Sequence, residues 1–98
     1  MTVEVRLRPE AEQDLVDSAT WYEGQRSGLG LEFLQEAQAV LSSIAERPLS
    51  YPIVHRTARR ALLHRFPFGV FYFVEAEHAV VIGILHGSRD PLAWKART

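Results

Sequence analysis

The 98-residue chain has no cysteine. Disulfides, thiolate metal sites and cysteine nucleophiles are therefore excluded, and a reducing compartment suits the composition. No apolar run approaches the roughly 18 residues that span a bilayer, and no N-terminal apolar segment has the form of a signal peptide. The protein is expected in the cytoplasm, with no membrane partner. Lys95 is the only lysine among eleven basic residues. Phosphate-binding glycine loops, the dinucleotide-binding glycine pattern and the HExxH zinc motif are all missing. His55, His64, His78 and His86 are not spaced as a metal set, so neither metal nor cofactor is called for. Repeats, low-complexity tracts and linkers are absent too. Residues 1–98 thus read as a single domain with one modest core.

The stretch from Arg59 to Arg89 is the most organised part of the chain. Three apolar runs, Ala61 to Phe66, Gly69 to Glu75 and Ala79 to His86, are separated by Pro67-Phe68-Gly69 and Glu75-Ala76-Glu77-His78. Such breaks predict an antiparallel meander. In the middle run Phe71 and Phe73 share one face, and Val70, Tyr72 and Val74 the other. Both faces want burial, so this strand needs a neighbour on each side. The third run is apolar on both faces as well. The first run differs, since it carries Arg59, Arg60, His64 and Arg65.

Upstream, Val3, Val5 and Leu7 alternate with polar residues, the pattern of a half-buried strand. Pro9 suits the first position of a helix, and Glu10 and Glu12 favour its positive end. Ala11, Leu15, Ala19 and Tyr22 form a helical stripe to about Gln25, with Trp21 expected to pack beside it. Arg26-Ser27-Gly28-Leu29-Gly30 breaks this helix. Phe33, Ala37, Val40, Leu41 and Ile44 then mark a second one, ended by Arg47-Pro48. The short link predicts an antiparallel hairpin of helices. Leu49 to Thr57 reads as an irregular crossing. After Asp90-Pro91 a short turn docks Trp94, and Lys95 to Thr98 fray. The expected fold is α+β, a small antiparallel sheet packed against a two-helix hairpin in the order β-α-α-β-β-β. One sheet face is expected to stay partly open, leaving an apolar groove.

The net charge of −1 hides an asymmetry. Nine acids and three arginines occupy residues 1–46, against eight basic residues and three acids from Arg47 onward. Arginine suits planar, bidentate binding of phosphate or carboxylate. The plain reading is a solvated surface, and the acids of the first helix are read that way. His86 is read either as a structural histidine or as a proton carrier near neutral pH. With Arg65 and Arg89 to stabilise developing phosphate charge, it could form a metal-free ribonuclease-type site. Trp21 and Trp94 read as packing residues rather than base-stacking platforms.

Across nearly the whole chain, the ordered pieces resemble the RelE/ParE superfamily of toxins from type II toxin–antitoxin modules, the plasmid stabilisation proteins. The matching residues are Trp21-Tyr22-Glu23, Gly28-Leu29-Gly30 with Phe33, Pro48 with Tyr51, Arg60, Leu63, Arg65-Phe66-Pro67-Phe68, Tyr72, His86-Gly87-Ser88-Arg89-Asp90-Pro91 and Trp94. The resemblance implies the same small sheet and helical hairpin. It also implies one of two activities. RelE-like members cleave mRNA in the ribosomal A site with basic residues on the sheet and a late tyrosine or histidine. ParE-like members poison DNA gyrase. Arg65 and Arg89 match basic positions of the nuclease type, but the late tyrosine and the lysine-rich stretch are absent. Trp-Tyr-Glu and Arg-Asp-Pro are closer to the ParE branch, and a net charge near zero suits a ribosome binder poorly.

The resemblance therefore implies a gyrase-inhibiting toxin neutralised by a cognate antitoxin, with Arg60, Arg65 and Arg89 as target-binding residues. The alternatives are a ribosome-dependent endoribonuclease using His86, Arg65 and Arg89, and a non-toxic member acting in antitoxin pairing and operon regulation. Direct DNA binding without the antitoxin is not expected.

Overall fold

The structure, a computed structural model, describes residues 2–87 and 91–98. Strand β1 (Glu4–Leu7) leads into helix α1 (Pro9–Gln25), which Pro9 opens at its first turn. Helix α2 (Leu29–Glu46) returns antiparallel to it. Strands β2 (Ile53–His55), β3 (Ala58–Leu62), β4 (Phe68–Glu75) and β5 (His78–His86) follow, and a short helix α3 (Pro91–Lys95) ends the chain.

The strands form one sheet in the order β1-β5-β4-β3-β2. The predicted meander is present as β3-β4-β5, with β4 between two neighbours. Three details differ from the sequence reading. The sheet is mixed, because β1 pairs with β5 in parallel. The alternation that identifies β1 shows which face is buried, but not which neighbour is taken or in which direction. The crossing after α2 contains β2, a fifth strand paired with β3. Finally, β3 ends at Leu62 rather than running to Phe66. Leu63 and Phe66 are buried, yet they anchor a loop.

The larger core lies between the helical hairpin and the sheet. Val3, Val5 and Leu7 at and just before β1, Phe68, Val70 and Tyr72 of β4, and Ala79, Val81 and Ile84 of β5 meet Ala11, Phe33, Ala37 and Ile44 from the helices. A bulge in β5 explains how Val81 and Ile84 reach the same layer. Tyr72 pairs with Val81 and Phe71 with Gly83, so Ile82 is an extra residue and the alternation changes phase there. The opposite face is less open than its sequence suggests. Trp94 from α3 stacks on Phe71 at 4.5 Å between ring centroids, and Ala58 and Ile82 complete a second apolar cluster.

Candidate functional site

The loop between β3 and β4, residues 63–67, carries Arg65. Its backbone turns at Leu63, whose N–H donates to the Phe68 carbonyl at 3.0 Å. Two acids of α2 then hold it. Glu36 accepts hydrogen bonds from the backbone N–H groups of His64 and Arg65, the latter at 2.8 Å. Glu32 accepts from the Arg65 guanidinium at 2.6 Å and from Arg26 at 3.1 Å. Acids four residues apart share one helix face, so one side of α2 grips the whole loop. The Arg65 hydrogen bond, followed by that of Arg26, holds the Glu32 carboxyl below its ordinary value. Arg65 is shifted upward by the same contact. Arg65 is nevertheless 60% exposed, so this is a surface pair that a competing anion could open.

Arg60 has the opposite environment. It pairs across the sheet with Phe71, on the face away from the helices. Its stem lies over Gly69, where a Cβ atom would stand 3.1 Å from Arg60 Cγ. Its Nε is buried and has no hydrogen-bond partner among the described residues. The sheet-margin arginine engaged by an acid of the helical hairpin is therefore Arg65, not Arg60.

His86 ends β5 opposite Phe68, with ring centroids 5.4 Å apart. It opens onto a groove of about 530 Å³ between α1 and the β4–β5 end, whose other walls include Asp17, Trp21, Tyr22 and Pro67. Trp21 is not packed as expected. It is 56% exposed, with its ring edge-to-face with Tyr22 at 5.0 Å between centroids. The acids of α1 also depart from a uniformly solvated face. Asp14 is bonded to Arg97 and to the Ile84 N–H, so the tail beyond Lys95 is tied down rather than frayed. Glu23 accepts from the N–H groups of Gly28 and Gly30 at the start of α2.

The structure does not gather the expected residues into one cluster. His86 lines the α1 groove, Arg65 reaches Glu32 of α2, and Arg60 lies on the far face of the sheet. Arg89, with Ser88 and Asp90, lies outside the described residues. Among the described residues no set of three His, Asp or Glu side chains could hold a metal. No helix of the described residues is long and apolar enough to cross a membrane. Glu32, Glu36 and the Asp14–Arg97 pair escaped the sequence reading. The four-residue spacing of Glu32 and Glu36 is visible there, but nothing local names the loop they hold.

A family model for the ParE toxin of the type II toxin–antitoxin system parDE matches residues 5–91. The fold is similar to that of the chromosomal ParDE toxin–antitoxin system from P. aeruginosa. The TM-score is 0.78 at 16% identity, covering 87% of this chain and 96% of that one. No protein of curated function matches the sequence.

Proposed function

Because the chain belongs to the ParE toxin family of type II toxin–antitoxin systems, we propose that it arrests growth in the cytoplasm by inhibiting DNA gyrase and is neutralised by a cognate antitoxin. The observation that carries gyrase over the ribosome is the outer sheet face. Its centre, Phe71 and Ile82, is closed over by Trp94 and offers no row of cations among the described residues, whereas binding RNA phosphates needs one. Of the nuclease set, His86 lines the α1 groove while Arg65 is engaged by Glu32 of α2, and this points the same way, since acid–base chemistry needs its groups within reach of one substrate.

Target contact is assigned to Arg60, Arg65 and Arg89. Gly69 leaves room for the stem of Arg60, whose buried Nε has no partner among the described residues. Arg65 can be released from Glu32 because the pair is exposed. The expected phenotype on induction is filamentation with accumulation of cleaved DNA and intact mRNA. Purified toxin is expected to inhibit supercoiling by gyrase, and Arg60→Ala to weaken that inhibition at least tenfold with its fold retained, as arginine hot spots do. Cuts in ribosome-bound messages that vanish in His86→Ala would instead establish the nuclease. Growth unaffected by induction, with the antitoxin still bound, would establish the non-toxic reading.

A further inference from the structure

Glu32 serves two cations. Its Oε1 accepts from Arg65 Nη2 at 2.6 Å, and its Oε2 accepts from Arg26 Nη2 at 3.1 Å. Arg26 stands in the link that closes α1, and Arg65 in the loop between β3 and β4. Glu32 itself lies in the first turn of α2, where the positive end of the helix favours a carboxylate. Where an ion pair lacks such support, removing one partner strands the other charge. Here the loss of Arg65 leaves Glu32 with both Arg26 and the helix end.

The backbone around Arg65 does not depend on that bond. Glu36, one turn further along α2, holds the N–H groups of His64 and Arg65, and Leu63 and Phe66 on either side are buried. The Arg65 guanidinium lies over the Phe66 ring, 5.6 Å from its centroid, and the side chain is 60% exposed. It can therefore turn outward while the loop keeps its place. Among the described residues at this end of the helical hairpin, the acids Glu23, Glu32 and Glu36 outnumber Arg26 and Arg65. A polyanion such as a nucleic-acid backbone meets net negative charge there. A single carboxylate that replaces Glu32 on Arg65 meets a planar, two-pronged donor.

We propose that Arg65 is handed from Glu32 to a carboxylate of the target protein, and that Arg26 makes the transfer possible by staying on Glu32. The proposal rests on the target contact assigned above to Arg65, and it adds the chemistry of the partner and two positioning residues. Glu32 stands in for the target's acid in the free toxin, so it competes with binding. Arg26 acts in the opposite sense, because it keeps Glu32 paired once Arg65 has left. Neither touches the target. The two residues of one ion pair therefore affect binding with opposite signs, whereas a merely structural pair would give a loss from either side.

The test is titration of the whole chain against purified gyrase, with and without DNA. Glu32→Gln is expected to bind about two- to fivefold more tightly, the range that an exposed pair supplies. Arg26→Ala is expected to bind more weakly by a similar factor, and Arg26→Lys to bind as the wild type does. When Arg26→Ala is combined with Glu32→Gln the loss is expected to vanish, since Arg26 acts only through Glu32. A loss that persists in the double variant means that Arg26 meets the target itself, and it overturns the proposal. So does weaker binding by Glu32→Gln, which decides alone if Arg26→Ala fails to fold. A loss in Arg65→Ala that appears only with DNA present assigns the contact to phosphate and overturns the carboxylate partner. Unchanged binding in both single variants overturns the transfer and leaves the gyrase reading intact. Absence of gyrase binding by the wild type overturns both.

Discussion

Tyr72 shows how one residue couples the core to the link after α2. Its ring has no exposure, in the middle of the sheet. A buried phenol needs a partner, and its hydroxyl donates to the Pro48 carbonyl at 2.6 Å. Burial, against a smaller opposing effect of Arg59, pushes its ionisation up from 10.0 to about 12. The fold therefore keeps a proton that the unfolded chain gives up first. The associated stability is intact below pH 10 and is lost as pH rises towards 12. Tyr72→Phe should cost about 1 kcal/mol near neutrality, through the stranded carbonyl, and should flatten this alkaline decline. Urea unfolding at pH 7, 10 and 11.5 checks both. A decline of the same size in the variant would assign the effect elsewhere. At this scale the sequence singled out Arg60 and Arg65 but not what surrounds them. Arg65 and Arg60 are both charged groups beside apolar strands, and only the approach of α2 shows that Glu32 engages one while the Nε of the other has no partner among the described residues.

Among elements, the helical hairpin was the most legible. Its stripes have the period of a helix, and Gly28-Leu29-Gly30 announces the link. The reason for each glycine is less local. Gly28 takes a left-handed φ of 89° before α2, where other residues are strained. Gly30 is needed for helix contact, since a Cβ there would stand 2.6 Å from the Ala19 carbonyl of α1. Gly30→Ala should therefore cost about 1–3 kcal/mol by overpacking, lowering Tm by roughly 4–8 °C per kcal/mol in a domain of this size. Gly24→Ala provides the control. Its Cβ meets nothing within 4 Å, and alanine is the better helix former, so its Tm should hold or rise. Equal losses in the two variants would mean that helix approach is not the cause. Strand β3 was less legible. The apolar run reaches Phe66, but the Glu36 carboxylate captures the backbone N–H groups of His64 and Arg65 and turns them into a loop.

For the molecule as a whole, the C-terminal segment decides how closed the sheet is. Trp94 is 9% exposed, stacked on Phe71 and edge-on to His55 of β2. Arg97 fastens the same segment to Asp14 of α1 and accepts from Arg8 through its carbonyl. Trp94→Ala should remove about 3–5 kcal/mol, a large part of the ~5–15 kcal/mol typical of a whole domain. The measurement is denaturant unfolding of the free toxin, with light scattering to register association through the uncovered Phe71 and Ile82. An unchanged midpoint would show that α3 contributes little to the folded state.

The sequence by itself determined the α+β class, the helical hairpin, the central position of β4 and the membership of the family, because each depends on local periodicity, on breaks, or on residues in fixed order. Only the tertiary structure decided the parallel pairing of β1, the bulge at Ile82, the loop held by Glu32 and Glu36, and the Asp14–Arg97 pair on the edge of β5. These are contacts between segments up to 83 residues apart. Their partners are chosen by packing, and a charged side chain carries no mark in the sequence of which distant backbone group it will meet.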